Sequence, residues 1–218
     1  MKRIFLVTEA ALYAAFLVLD LIGALPALST GLKFASILLV LLAGLTAVRT
    51  QDGKIVAAAL ALTAAADVFL LLLDQNYMLG VSLFLAVQIL YTIRLSALTA
   101  QSAVLHLTAR GMLAGFAAYF LREHFGRLEL LAAAYIVWFF MNLAHSAAAA
   151  FQTRSGSCVR FAAGLALFFL CDLCVGIHNL PQNALSAFAD VAMWAFYLPG
   201  QVLIALSADC FGGKNDES

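Results

Sequence analysis

Apolar residues run along the chain in eight long stretches, separated by short polar segments. An α-helix needs about 20 apolar residues to cross the roughly 30 Å hydrocarbon core of a bilayer. Unpaired backbone is costly in lipid, and these runs are longer and more continuously apolar than barrel strands. The pattern therefore predicts an all-α polytopic membrane protein with eight transmembrane helices, over residues 4–23, 34–48, 55–73, 77–95, 100–121, 128–150, 161–177 and 186–208.

The predicted loops are too short to hold a soluble domain, so we expect one integral membrane domain over residues 1–218. Composition supports this, because 65% of the residues are hydrophobic and 11% are charged, against about 45–50% and 25% in soluble proteins. A cytosolic enzyme, a secreted disulfide module and a disordered tail are thereby excluded. The 12 basic and 12 acidic residues balance, so no basic surface favours nucleic acid as a partner.

The chain opens with Met1, Lys2 and Arg3 before an apolar run, as a signal peptide does. Glu9 within that run and the seven later spans favour a retained first helix. With both termini on one side, the Lys and Arg residues assigned to the two faces divide eight against three, which predicts cytoplasmic termini. We expect the membrane to be a bacterial cell membrane. The eight are Lys2, Arg3, Arg49, Lys54, Arg94, Arg154, Arg160 and Lys214, and the three are Lys33, Arg122 and Arg127.

Two acidic residues interrupt the third and seventh predicted spans at matching positions. Asp67 follows Lys54 by 13 residues and Asp172 follows Arg160 by 12. At 1.5 Å per residue, each carboxyl group lies roughly 18–20 Å from the cytoplasmic face. Charged residues within spans are rare and usually face the interior of the bundle.

The helix after each acid carries a tyrosine and a glutamine on one face. Gln88 and Tyr91 follow Asp67, while Tyr197 and Gln201 follow Asp172. This spacing predicts a parallel repeat of two four-helix halves, residues 1–98 and 99–218, related by an axis along the membrane normal. Such an axis would bring the two acids to a shared interior site.

Two neighbouring carboxyl groups in an apolar interior resist ionising together, so one can stay protonated while the other is charged. That division suits paired acid and base roles. The alternative is that each aspartate only makes a hydrogen bond to a neighbouring helix.

Other polar and small residues carry weaker signals. Asn142 and His145 share a face of the sixth helix, where they line a cavity or satisfy each other between helices. Gly111 and Gly115 have the spacing of close helix packing. Cys171 and Cys174 have no second ligand pair, so no metal site is predicted.

Ten residues, spread over nearly the whole chain, resemble in their order and spacing the pattern of the YhhN-type lysoplasmalogenases. Their pattern opens the second helix with a lysine, ends two apolar helices with an aspartate, and places tyrosine and glutamine in the last helix. The matching residues here are Lys33, Asp67, Gly80, Phe84, Tyr91, Tyr135, Met141, Asp172, Tyr197 and Gln201. The chain departs from the pattern at Phe34, Ala66 and Cys171, and at Gln88, where relatives commonly have a histidine.

The resemblance implies hydrolysis of the vinyl ether of lysoplasmalogens to a fatty aldehyde and glycerophosphocholine or glycerophosphoethanolamine. It implies no metal or organic cofactor, and lysophospholipid and membrane lipid as partners. Asp67 and Asp172 are then the expected catalytic acid–base pair. The expected substrate-binding residues are Gln88, Tyr91, Tyr197, Gln201 and Asn142, with Lys33, at the outer end of the second helix, either holding the lipid phosphate or snorkelling to the interface.

Two other classes of protein fit the same pattern. Intramembrane acids in parallel repeats also occur in small proton-coupled transporters. A family member that binds lipid without turning it over is the second alternative, which the glutamine at position 88 leaves open. Release of free aldehyde in detergent distinguishes a hydrolase from both.

Overall fold

The computed structural model describes residues 2–180 and 185–208. In that part of the chain all regular structure is helical, and the eight helices are each long and apolar enough to cross a membrane, which confirms the predicted fold class. The helices are α1 (Lys2–Ile22), α2 (Pro26–Leu45), α3 (Gln51–Asp67), α4 (Tyr77–Leu98), α5 (Ala103–Leu121), α6 (Arg127–Thr153), α7 (Gly156–His178) and α8 (Ser186–Ala205). Lys214, which was counted in the prediction of orientation, lies outside the described residues.

Short connections make successive helices run in opposite directions. We call the end where α1, α3, α5 and α7 begin the terminal face, and the other end the opposite face. Arg94, near the end of α4, bonds both Asp52 at the start of α3 and Ser207 just after α8. The starts of odd helices and the ends of even helices therefore share one face.

Helix α2 begins earlier than its apolar pattern predicts, at Pro26 and not at residue 34. Proline is favoured in the first turn because its φ angle is already helical and its missing N–H has no partner there. Lys33 therefore lies seven residues inside the helix. The expectation that this lysine opens the helix at its outer end is wrong.

Helices α7 and α8 approach each other closely. A Cβ atom added to Gly164 would lie 2.8 Å from the Gly200 carbonyl oxygen, so only glycine fits there. The close packing predicted at Gly111 and Gly115 is wrong. A Cβ at Gly115 would meet nothing within 4 Å, because α5 turns most of its surface outward and buries only Arg110 and Ala114.

Large apolar side chains cover the outside of the bundle, among them Leu42, Phe116, Phe140 and Phe151. In water such a surface would drive association, whereas in a bilayer it faces lipid tails. The polar side chains described next lie inside. The two-half repeat stays a prediction.

Candidate functional site

Asp67 is the last residue of α3 before the helix widens into a π-helical turn, Val68–Leu72. In this turn the Leu73 N–H donates to the Val68 carbonyl oxygen at 2.9 Å. The turn packs Leu70 against Gly80 of α4, where a Cβ would lie 2.5 Å from Leu70. Such π-helical turns occur frequently at functional sites.

The second acid lies at the same depth. Asp67 follows the start of α3 at Gln51 by 16 residues, and Asp172 follows the start of α7 at Gly156 by 16 residues. Each is therefore about 24 Å from the terminal face. The two carboxyl groups are close enough to interact electrostatically. We call Asp67 and Asp172 the carboxyl pair.

A tyrosine hydroxyl donates a hydrogen bond to each member of the carboxyl pair. Tyr197 of α8 donates to Oδ2 of Asp67. Tyr135 of α6 donates to Oδ2 of Asp172 at 2.5 Å. Each acid is thus held by a phenol from another helix, and the two pairs of residues join α3, α6, α7 and α8.

Aromatic rings fill the space around these two contacts. The Phe168 ring lies 5.5 Å from the Tyr197 ring and 5.5 Å from the Phe84 ring, between centroids. Phe84 in turn lies 6.3 Å from Tyr135. The carboxyl pair therefore lies in an apolar environment, where electrostatic effects on a reacting group are stronger than in water.

Pro199 interrupts the backbone of α8 just after Tyr197. A proline has no N–H to donate to the carbonyl four residues earlier, here that of Ala195. The Tyr13 hydroxyl of α1 donates to this carbonyl oxygen at 3.3 Å. Helix α1 thereby supports the part of α8 that positions Tyr197.

Lys33 is buried beside this site and is 9% exposed. Its Nζ lies 2.8 Å from Oδ2 of Asp20 and 4.6 Å from the centroid of the Trp194 ring. Trp194 packs edge-on against Tyr197 at 5.6 Å. One aromatic ring, that of Trp194, thus separates the lysine from Tyr197, whose hydroxyl bonds Asp67. The lysine does not snorkel along the outside of the bundle.

Asn142 and Gln88 form a buried amide cluster with Thr92 and Trp138. Asn142 Nδ2 donates to Oε1 of Gln88 at 2.9 Å, and Thr92 donates to Oδ1 of Asn142 at 3.0 Å. The Gln88 side chain also lies against the Tyr135 phenol. The cluster therefore joins α4 to α6 behind the tyrosine that holds Asp172.

His145 does not pair with Asn142. It contacts the Thr99 hydroxyl at 3.2 Å and an Arg110 guanidinium nitrogen at 3.1 Å. This polar group lies nearer the terminal face, away from the carboxyl pair.

Tyr91 lies away from both acids. Its ring packs edge-on against Phe161 at 5.2 Å, and the guanidinium of Arg94 lies over that same Phe161 ring. Among the described residues its hydroxyl has no hydrogen-bond partner. The tyrosine that contacts Asp172 is Tyr135, which the repeat spacing did not single out.

Gln201 and Thr63 lie one helical turn from the contact between Tyr197 and Asp67. Thr63 precedes Asp67 by four residues and Gln201 follows Tyr197 by four, so antiparallel α3 and α8 bring both to the same level. Both side chains are 1% exposed, and neither forms a hydrogen bond to any described residue. Buried polar atoms without a protein partner commonly bind ordered water. Thr63 was not singled out from the sequence. Its spacing of four residues from Asp67, one helical turn, was the signal that could have identified it.

The fold and this site define a helical membrane protein with a carboxyl pair in its interior. The model of the YhhN family matches residues 28–208. The chain therefore belongs to the YhhN family, the family of lysoplasmalogenases. The match covers the carboxyl pair, both tyrosines and Lys33, and leaves α1 outside. No curated protein and no solved structure matches the chain.

Proposed function

We propose that the protein hydrolyses the vinyl ether bond of lysoplasmalogens, with Asp67 and Asp172 as an acid–base pair. One observation carries the proposal: two carboxyl groups lie at equal depth inside the bundle, and each accepts a hydrogen bond from a tyrosine hydroxyl. Membership of the YhhN family supports the reaction class.

The reaction needs one proton donor and one base. The protonated carboxyl group gives its proton to the β-carbon of the vinyl ether, and the C=C electron pair forms the new C–H bond. The oxocarbenium ion that results is stabilised by the neighbouring carboxylate. A water molecule adds to the cationic carbon and loses a proton to that carboxylate. The hemiacetal then breaks its C–O bond: the carboxyl group that took the water proton gives it to the glycerol oxygen, and the hemiacetal hydroxyl gives its proton to the other carboxylate as fatty aldehyde leaves. Both aspartates thereby return to their starting protonation states.

The residues around the carboxyl pair have supporting roles. Each tyrosine occupies Oδ2 of its aspartate, which leaves Oδ1 for the transferred proton. Gln201 and Thr63 offer polar atoms, unpartnered among the described residues, one turn from Asp67, and we assign them the orientation of the attacking water. Gln88 and Asn142 hold Tyr135 in place.

Lys33 is assigned to the phosphate of the head group. A buried ammonium favours an anionic partner, and charge-assisted hydrogen bonds to phosphate are strong. In the structure Asp20 occupies this position, and its Oδ1 accepts a hydrogen bond from Ser29 at 2.5 Å. Substrate phosphate would replace Asp20 on the lysine, one aromatic ring away from the carboxyl pair.

The test is aldehyde release from lysoplasmalogen by purified Asp67→Asn and Asp172→Asn variants in detergent, with no gradient present. Loss of proton transfer is expected to lower turnover at least about 100-fold in each variant. Asp190→Asn is the matched control, because Asp190 is exposed on α8. Wild-type turnover in either test variant would remove that residue from the mechanism. Substrate flux across sealed vesicles without aldehyde release would instead indicate a transporter.

A further inference from the structure

An open groove of about 390 Å³ lies on the outside of the bundle, between α5, α6 and α7. All of its lining residues are apolar. Phe116 and Phe140 form its rim and are 62% and 59% exposed, so the groove opens toward the surrounding lipid. The lining includes Leu113, Phe116 and Ala117 of α5, Ile136 and Phe140 of α6, and Phe169 of α7.

The groove lies next to the carboxyl pair. Phe169 precedes Asp172 by three residues on α7, and Ile136 directly follows Tyr135 on α6. The Phe169 ring lies 5.4 Å from the Phe139 ring, which lies 5.8 Å from the Tyr135 ring. The groove therefore begins one helical turn from the bond between Tyr135 and Asp172.

Asp172 is also the more accessible of the two acids. Its side chain is partly exposed, whereas Asp67 is buried. Asp172 also lies on α7, which contributes Phe169 to the groove, whereas α3 and Asp67 do not line it.

The direction of the groove matches that of a lipid chain. Phe169 lies about 20 Å from the terminal face and Leu113 about 15 Å, against about 24 Å for the carboxyl pair. The groove thus extends from just below the acids toward the middle of the membrane. Lys33 lies at about the depth of the acids, about 10 Å from the opposite face, and on the other side of them across the bundle, beside Trp194 of α8. Across the bundle, the head-group site, the carboxyl pair and the groove therefore follow one another in the order of phosphate, ether and chain in a lysolipid.

We propose that this groove binds the hydrocarbon chain of the lysolipid substrate and sets the chain length that the protein prefers, an inference that rests on the proposed function. The groove gains no hydrophobic free energy over the lipid tails that it replaces, because both are apolar. It acts by shape, holding the first chain carbons straight below Asp172.

The binding test uses a saturated ether lysophosphatidylcholine with a photoreactive diazirine in its chain. This probe has no vinyl ether, so it is not cleaved, and binding is measured apart from hydrolysis. We expect labelled peptides from the groove walls of α5 and α6, and at least about tenfold less labelling when unlabelled lysolipid competes. Labelling elsewhere would overturn the proposal. So would equal, uncompeted labelling of the groove by a diacyl phosphatidylcholine probe, since the groove would then hold bulk lipid only.

Ala117→Phe and Val137→Phe fill the groove from α5 and from α6. Ala109→Phe is the matched control, because Ala109 is exposed on α5 outside the groove. Both filling variants are expected to lower probe labelling. They should also lower kcat/KM for a hexadecenyl substrate about tenfold relative to an octenyl one, with the control within about twofold of wild type.

An unchanged preference in both filling variants would overturn the proposal. If the wild-type protein releases no aldehyde while competed labelling of the groove persists, the hydrolase assignment fails and the chain-binding site stands.

Discussion

At the scale of residues, the carboxyl pair depends on two phenols that come from different helices. The hydroxyl groups of Tyr197 and Tyr135 each donate a hydrogen bond to one aspartate oxygen. A hydrogen bond to an ionised acceptor is stronger than a neutral one. Each tyrosine therefore fixes the orientation of its carboxyl group and stabilises the charged form of that group.

Tyr197→Phe and Tyr135→Phe remove one hydroxyl each and keep the ring. We expect each variant to lower the kcat of aldehyde release roughly 10- to 100-fold, because the carboxyl group is no longer held for proton transfer. Tyr119→Phe is the control, since Tyr119 is exposed on α5. Wild-type kcat in both test variants would show that the phenols have only a structural role.

Lys33→Met tests the assignment of the head-group site. The KM for lysoplasmalogen is expected to rise at least about tenfold, because the phosphate loses its charged partner. The KM for an alkenyl glycerol without phosphate should stay near the wild-type value. If the KM rises equally for both substrates, Lys33 supports the fold through Asp20 and Trp194 and does not bind phosphate.

Sequence patterns located the acids and singled out Tyr197, but not which tyrosine bonds which acid. The depth of Asp67 and Asp172 follows from counting residues along two apolar helices. The bond of Asp172 to Tyr135, and not to Tyr91, depends on how α4 and α6 are rotated about their axes. The spacing of residues along one helix does not determine how that helix is rotated against its neighbours.

At the scale of elements, α7 and α8 approach each other through glycines at the level below the site. A Cβ on Gly164 would meet the Gly200 carbonyl oxygen at 2.8 Å and Ile204 at 2.8 Å. This approach sets the distance from α7, which carries Asp172, to α8, which carries Tyr197.

Gly164→Ala should separate the two helices and lower both stability and turnover. Overpacking of this kind costs roughly 1–3 kcal/mol of unfolding free energy. Gly115→Ala is the matched control, because a Cβ at that position meets nothing within 4 Å. Thermal unfolding in detergent measures the difference, and equal melting temperatures for the two variants would contradict the close approach.

Two features of the helices near the acids cannot be predicted from the lengths of the apolar runs in the sequence. The π-helical turn at Val68–Leu72 packs Leu70 against Gly80, which lies on another helix. The position of Lys33 inside α2 depends on Asp20 of α1, which neutralises the lysine and lets a cation lie within the span. Both depend on contacts between helices, whereas run length depends on one helix alone.

At the scale of the whole molecule, a buried ion pair joins three helices near the terminal face. Arg94 donates through Nε to Oδ1 of Asp52 at 2.6 Å and through a terminal nitrogen to Oδ2 at 2.8 Å. It also donates to the Ser207 carbonyl oxygen at 2.6 Å, after the end of α8. Counting Arg94 as a loop charge, as the orientation argument did, overlooks this burial.

Arg94→Leu should be strongly destabilising, because it leaves Asp52 buried without its cation. Breaking such a pair costs about 3–5 kcal/mol. Arg122→Leu, at an exposed position, should cost under about 1 kcal/mol. Reversible unfolding in mixed detergent measures both, and a cost for Arg94→Leu no larger than the control would mean that the pair contributes little to the fold.

The depth of the carboxyl pair predicts from which leaflet the substrate is taken. Asp172 lies six residues before the end of α7, about 9 Å from the opposite face. The vinyl ether of a lysolipid lies just below its head group, so only lipid in the leaflet opposite the termini presents its ether at this depth.

In sealed vesicles sorted by the side of an N-terminal tag, lysoplasmalogen added opposite the tag should release aldehyde at once. Addition on the tag side should be at least about tenfold slower, because the ether would lie about 24 Å from that face. Detergent should abolish the difference, and equal initial rates from both sides of intact vesicles would contradict the predicted depth of the site.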